Sequence, residues 1–480
     1  MGDYTKQYIG GEWRIGTARK TLSNYNPYNG ELLYTYQSAG EKDLDDAFHA
    51  ANNAQKSWAL TSPEEKQGYL TRLYQAIVDK KSDIFHWLKI ESGATVAKAS
   101  FEYNTTLEFA KVAMSFPLMM EGKILPSNIP GKENYIFRQP KGVIGVIAPW
   151  NVPLVLAMRS VIPAIATGNA VVLKPASDTP ASALLIAELF EKAGFPAGLY
   201  NAVCGSGSEI GDTFVSHPIP GLISFTGSTE VGRRIGEIAG KHLKDVSLEL
   251  GGNNAMLILK DADVKQAAKA AAFGSFFNQG QVCMAVNRVI AVNEIYDEFV
   301  SAFVNVTKDL KAGDPGDPET FFGPVINESQ IRTIEKYIFQ TIKAGAHVAL
   351  EGKTEGSVVR PWILSNVHND MPAAKNEVFG PVCCVIRARD EAHAVEIAND
   401  TEYGLSGSVF TKDIYHGILI ARMINSGMTH VNDQSINDEP HVMFGGEKAS
   451  GLGRFNAQWV VNKFTTEKWV SIQKEDRYFF

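Results

Sequence analysis

Short apolar runs alternate with amphipathic stretches along most of the chain, and this alternation predicts strands and helices in turn. Residues 142–148, 170–173, 199–203, 222–225 and 245–250 read as strands. Between them, 154–167, 181–193, 209–216 and 230–239 read as helices. Strand, helix and strand in succession imply parallel pairing with right-handed crossovers, hence a doubly wound α/β sheet. A second series follows, with strands at 255–259, 286–292, 382–387, 407–410 and 428–431. Its helices are 264–277, 298–310, 328–344, 391–399 and 414–424. Two successive α/β units suggest a cleft between them, where a cofactor held by one meets chemistry on the other.

The first 120 residues read as mostly helical (41–60, 64–80 and 82–111) and are expected to pack on the first sheet. Residues 122–139 and 465–480 alternate apolar and polar positions without helical periodicity, which suits a small antiparallel flap. The most apolar stretch, 152–166, is interrupted by Arg159, Pro153 and Pro163, so it predicts a buried helix rather than a membrane span.

A length of 480 residues implies two or three domains, and 45% apolar with 21% charged residues excludes a disordered chain. Lys and Arg total 46 against 53 Asp and Glu, a formal charge of −7. With no basic run, nucleic acid and anionic membrane are not expected partners. The four cysteines, Cys204, Cys283, Cys383 and Cys384, form no C-x-x-C pair, so a disulfide scaffold is not expected. A reducing, cytoplasmic location fits that usage. The N-terminus lacks the apolar core of a secretion signal, and Lys6 breaks the myristoylation pattern.

Candidate chemistry lies at loop positions. Phe277-Asn278-Gln279-Gly280-Gln281-Val282-Cys283 places one cysteine after a glycine turn, among polar residues that suit an approachable thiol. Cysteine taken alone is more often inert packing. Glu249 ends a strand before Gly251-Gly252, where a half-buried carboxylate can act as a base or simply be paired. Asn151, in Ala148-Pro149-Trp150-Asn151-Val152-Pro153, suits an N-cap or a donor to an oxyanion. The loops 225–232 and 205–208 join strands to helices through glycines, as phosphate cradles and plain tight turns both do. No His/Cys/Asp cluster has metal-ligand spacing.

These motifs stand in the order found in the aldehyde dehydrogenase superfamily, which the chain resembles over nearly its whole length. The resemblance is carried by Pro149-Trp150-Asn151, Lys174-Pro175-Ala176-Ser177, Phe225-Thr226-Gly227-Ser228, Glu249-Leu250-Gly251-Gly252 and Gly280-Gln281-Val282-Cys283. Glu377-Val378-Phe379-Gly380-Pro381 and Phe444-Gly445-Gly446 with Lys448-Ala449-Ser450-Gly451 complete it. It implies a Rossmann-like cofactor domain (1–121 and 140–250), a catalytic domain (251–464) and an oligomerisation flap (122–139 and 465–480), assembled as a homodimer or homotetramer. It implies Cys283 as nucleophile, Glu249 as base, and Asn151 with the Cys283 N–H as oxyanion hole. For NAD or NADP, it places Lys174 at the adenosine ribose, with Ser177 beside it, and Gly227, Ser228 and Gly232 near the pyrophosphate. Glu377 would hold the nicotinamide ribose with Phe379 beside the ring. Trp150, Gly207, Phe225 and Leu250 would complete the cofactor site.

Two departures refine the expectation. Many NAD-preferring relatives carry Glu where Ser177 stands; a small hydroxyl leaves room for a 2′-phosphate, so NADP is expected to serve as well as NAD. Arg159-Ser160 replaces a Trp-Lys pair common among aliphatic-aldehyde relatives, and the stretches 174–180 and 432–441 resemble the benzaldehyde- and vanillin-oxidising branch. The expected activity is therefore oxidation of an aromatic aldehyde. A succinate-semialdehyde-type dehydrogenase, with Arg159 as anchor for a distal carboxylate, is the rival; a non-catalytic binding protein of this fold is the alternative from another class. An ion pair is the plainer role for Arg159. Tyr103, Phe109 and Met114 are candidates to face the substrate, with core packing the plainer role for each.

Overall fold

The computed structural model describes residues 3–479. Met1 and Gly2 of the targeting reading and Phe480 of the flap lie outside the described residues. The first sheet has eight strands. Five of them, Tyr200–Ala202, Ala170–Lys174, Val143–Ile147, Leu222–Thr226 and Asp245–Glu249, lie side by side in that order and run parallel. Helices cover both faces, so Val143–Ile147, Ala170–Lys174 and Leu222–Thr226 are largely apolar runs rather than alternating ones. From Val143–Ile147 the chain adds strands to one side, then returns to add Leu222–Thr226 on the other. The two neighbouring strands on either side of that reversal end at Trp150-Asn151 and at Gly227-Ser228. A crevice at the C-terminal ends of such a pair is where open α/β sheets bind ligands.

The helix Pro153–Ala166 begins at this crevice and is buried at all 14 positions, which accounts for its membrane-like composition. The second sheet has seven strands, with Trp362–Ser365, Val382–Ala388, Val286–Val292, Asn254–Ile258, Gly407–Phe410 and His430–Val431 mutually parallel. The flap is an antiparallel sheet in which Thr465–Gln473 pairs with Lys132–Pro140 along nine residues, and Lys123–Leu125 covers the other edge.

The structure departs from the sequence reading in four places. The expected helix 82–111 is two helices, Lys81–Ser92 and Val96–Ala113. Gly93 between them is left-handed (φ 66°), a side chain there would strike Pro324, and Thr95 caps the second helix. Apolar spacing carries across the break, which is why periodicity alone merged the two. The first 40 residues form two hairpins, Gln7–Ile9 with Glu12–Arg14 and Thr21–Tyr25 with Leu32–Gln37. Strands of three to six residues are too short to show a clear period. The edge strand His347–Leu350 is antiparallel to Trp362–Ser365 and gave no clear signal. The expected strand 428–431 shrinks to His430–Val431.

Candidate active site

Five connecting segments converge on a cavity of about 300 Å3 at the crevice. The turn after Val143–Ile147 contributes Trp150 and Asn151, and the next contributes Gly227 and Ser228. Leu250 follows Asp245–Glu249, Cys283 precedes Val286–Val292, and Glu377 and Phe379 precede Val382–Ala388. Residues far apart in sequence thus meet in one cavity, while Glu249, Lys174 and Ser177 do not line it.

The loop to Cys283 is shaped by backbone geometry. Asn278 and Gln279 are both left-handed, with φ of 51° and 58°. Gly280 follows with φ 69°, and a Cβ there would overlap the Gly380 carbonyl oxygen. The polar residues of this loop do not form an open rim: Asn278, Gln279 and Gln281 are at most 3% exposed, and their amides bond inward. Asn151 Nδ2 donates to the Gln281 carbonyl at 2.9 Å. Gln279 Nε2 donates to the Pro324 carbonyl at 2.8 Å, and Gln281 Oε1 accepts the Ile326 N–H at 3.0 Å. The carbonyl of Cys283 accepts from Asn254 Nδ2 at 2.9 Å. Among the described residues the Cys283 N–H has no acceptor. The sequence reading therefore erred on the surroundings of the thiol, while Cys283 itself is partly exposed and lines the cavity.

Burial disfavours the charged forms of Cys283, Glu249 and Glu377. Burial pushes the Cys283 thiol up to about 12, with the nearby Glu377 carboxylate adding to it and Arg159 opposing. Burial raises Glu249 to about 8, against the lowering influence of Arg159 and Arg454. Both Glu249 oxygens lack hydrogen-bond partners. The carboxylate rests against Gly445, where a Cβ would come within 3.1 Å of Oε1, rather than lining the cavity. Glu377, raised by burial to about 7, accepts the Gly252 N–H at 3.0 Å, and a side chain at Gly251 would collide with it. Arg159 pairs with Asp438, so its charge is already matched.

The remaining cofactor candidates divide. Trp150 stands edge-on to Phe379, ring centroids 5.4 Å apart at 88°. Ser228 caps the helix Thr229–Lys241, whose N-terminal N–H groups and dipole favour an anion beside the cavity. Lys174 is buried, bonds only the Pro175 carbonyl, and is lowered by burial to about 8. Lys174 does not itself line the cavity, and among the described residues no carboxylate pairs with its charge. Gly232 does not line the cavity; its missing side chain makes room for Leu250, and that of Gly227 for the Phe225 ring. Gly207 opens the helix Gly207–Ser216 outside the cavity. Ser177 borders a separate groove of about 490 Å3, with Asp178 and Asn327.

The sequence reading missed Gln330, Thr333 and Tyr337, which line the cavity from the helix Glu328–Lys343. Their spacing marks one helical face, a legible signal. Gln330 Nε2 donates to the carbonyls of Val378 and Phe379 at 3.1 and 2.9 Å, holding Phe379 in its left-handed backbone (φ 52°). Tyr103 and Phe109 are buried, Tyr103 packing on Phe85 at 5.8 Å, and Met114 is half-buried. Among the described residues no three His, Cys, Asp or Glu side chains gather to hold a metal ion, and no helix is long and apolar enough to cross a membrane.

A vanillin dehydrogenase of Corynebacterium glutamicum is 49% identical over 475 residues, 98% of each chain. A benzaldehyde dehydrogenase of Bacillus subtilis is 47% identical over 99% of each. The crystal structure of an NAD-dependent benzaldehyde dehydrogenase from Corynebacterium glutamicum superposes with a TM-score of 0.91 at 44% identity, covering 98% of this chain and 99% of that one. An NADP-dependent enzyme of E. coli superposes at 0.95 with 33% identity, covering 98% of each. Residues 13–470 match the aldehyde dehydrogenase family, and the chain belongs to that family.

Proposed function

We propose that this protein oxidises aromatic aldehydes, of the benzaldehyde and vanillin kind, to carboxylic acids with NAD or NADP. The observation that carries the reading is the meeting of Cys283 and Asn151 in one cavity, with one Asn151 N–H anchored on the Gln281 carbonyl and the other left for a ligand. The similarity to vanillin and benzaldehyde dehydrogenases supports the substrate class.

In this reading the Cys283 sulfur adds to the aldehyde carbon as its proton passes to solvent water. Asn151 Nδ2 and the Cys283 N–H donate to the oxygen that gains charge, the term fixed dipoles serve best. Lys174, Ser228, Glu377 and Phe379 would hold a nicotinamide cofactor, which would supply the acceptor for the hydride of the aldehyde carbon. The acyl group stays on Cys283 as a thioester, and Glu249 takes a proton from the water that releases the acid. Glu249 must first turn from Gly445 toward the sulfur.

Residues 1–121 and 140–250 form the cofactor domain in this reading, 251–464 the catalytic domain and 122–139 with 465–480 the flap. The flap exposes Ile124, Phe137, Trp469 and Ile472, and the helix Ile414–Ala421 exposes Ile414, Tyr415, Ile418 and Leu419. Apolar surface of that extent supports a homodimer or homotetramer. Four unpaired cysteines suit a reducing cytoplasm.

Initial rates on benzaldehyde, vanillin and succinic semialdehyde, each with NAD and NADP, test the proposal. Aromatic substrates should dominate, and Cys283→Ala should abolish turnover. Preference for succinic semialdehyde would shift the reading to the rival that the Arg159–Asp438 pair disfavours. A Cys283→Ala variant at the parental rate would remove the mechanism.

A further inference from the structure

We propose that Asn278 is a positioning residue for the oxyanion donor, an assignment that rests on the roles given above to Asn151 and Cys283. Asn278 lies at the start of the turn before Cys283 and is 3% exposed. Its Nδ2 donates to the Asn151 carbonyl at 3.2 Å and to the Gln281 carbonyl at 3.3 Å. The Gln281 carbonyl is the same atom that anchors Asn151 Nδ2 at 2.9 Å. The Asn278 carbonyl in turn accepts the Gln281 N–H at 3.0 Å and Gln281 Nε2 at 3.4 Å. One carboxamide thus ties the peptide of Asn151 to the carbonyl that aims the Asn151 side chain.

The backbone at Asn278 sharpens the point. Its left-handed conformation (φ 51°, ψ 39°) is the kind glycine adopts without steric penalty. A turn alone needs no amide there. The side chain is accounted for by the two bonds it makes, which hold the turn bearing Asn151 against the turn bearing Cys283. An oxyanion donor works only when its N–H is aimed before charge develops, and a shift of about 1 Å can cost up to a hundredfold in rate. Asn278 touches no reacting atom; it acts through Asn151.

The test uses Asn278→Gly, which keeps the backbone permissive, and Asn278→Asp, which sets a carboxylate oxygen against two carbonyl oxygens. Three quantities are read: the pre-steady-state burst of reduced cofactor with benzaldehyde, the cofactor Kd by fluorescence, and Cys283 alkylation by iodoacetamide. Asn278→Gly should slow the burst by about tenfold or more while Kd and alkylation stay within about twofold. Asn278→Asp should be slower still. In an Asn151→Ala background, Asn278→Gly should change the burst by less than about twofold, because the group it positions is gone. A burst within twofold of parental, or the same loss in both backgrounds, would overturn the assignment. A slow Asn151→Ala beside a fast Asn278→Gly sinks this inference alone; Asn151→Ala at the parental rate sinks the oxyanion reading with it.

Discussion

Arg159 and Asp438 form an ion pair sealed from water, each side chain 3% exposed. The guanidinium lies 4.0 Å from the Phe444 ring centroid, and its Nε and Nη1 have no hydrogen-bond partner. Asp438 also accepts from Asn456 Nδ2 at 2.9 Å. Breaking a buried pair leaves a charge without compensation, which costs about 3–5 kcal/mol. Asp438→Ala should therefore lower the denaturant midpoint clearly, and a loss below about 1 kcal/mol would show the pair to be dispensable.

Burial sets the pH behaviour of Glu249, and the same pair tunes it. Raised to about 8, the carboxyl is protonated below that pH and becomes a base only above it. The rate of acid release should rise with pH through about 8, and Glu249→Gln should abolish the limb along with most turnover. Arg159 lowers Glu249 and Asp438 raises it. Arg159→Met should move the limb to higher pH, and Asp438→Asn to lower pH. A steady-state kcat profile that ignores both substitutions would show that another group titrates.

Glu377 is the charge that most raises the Cys283 thiol after burial itself. Removing that charge favours the thiolate, the reactive form. Without cofactor, Glu377→Gln should react with iodoacetamide roughly threefold to tenfold faster at pH 8.5, the rate following thiolate fraction. Unchanged alkylation would place the control of the thiol elsewhere.

Cofactor choice is tested at Ser177. In the proposed cofactor site a carboxylate at Ser177 would face the 2′-phosphate, and like charges brought together cost several kcal/mol. Ser177→Glu should reduce kcat/KM with NADP by roughly tenfold or more while NAD changes little. Equal losses for both cofactors would show that Ser177 does not discriminate. Catalytic efficiencies of the parental enzyme should lie within about a hundredfold of each other.

Assembly is tested on the flap and the apolar helix. Trp469 is 63% exposed and Ile418 is 45% exposed. Trp469→Asp and Ile418→Asp put a charge where an interface would have to desolvate it. Sedimentation should shift toward the monomer mass in both variants. A monomeric parental protein would end the proposal of assembly.

Local pattern carried the sequence reading well where elements are long. The runs 142–148 and 222–225 became central parallel strands because burial on both faces demands apolar residues throughout. It failed at Gly93, where a left-handed residue breaks a continuous apolar period, and in the short N-terminal hairpins. Cys283, Asn151 and Glu377 were legible as motifs, and the structure brings them into one cavity. Gln330, Thr333 and Tyr337 were missed although their helical spacing was visible, because no chemistry marks such residues until the cavity exists.

The order of the longer strands and helices and the identity of the candidate reacting side chains were legible in the sequence, because periodicity and residue chemistry are local properties. The environment of those side chains was decided only by the tertiary structure. Arg159 meets Asp438 across 279 residues, and Asn278 reaches Asn151 across 127. Glu249 takes its raised pKa from the absence of water. Desolvation and contacts between distant segments come into being only when the chain closes on itself, so no reading along the chain contains them.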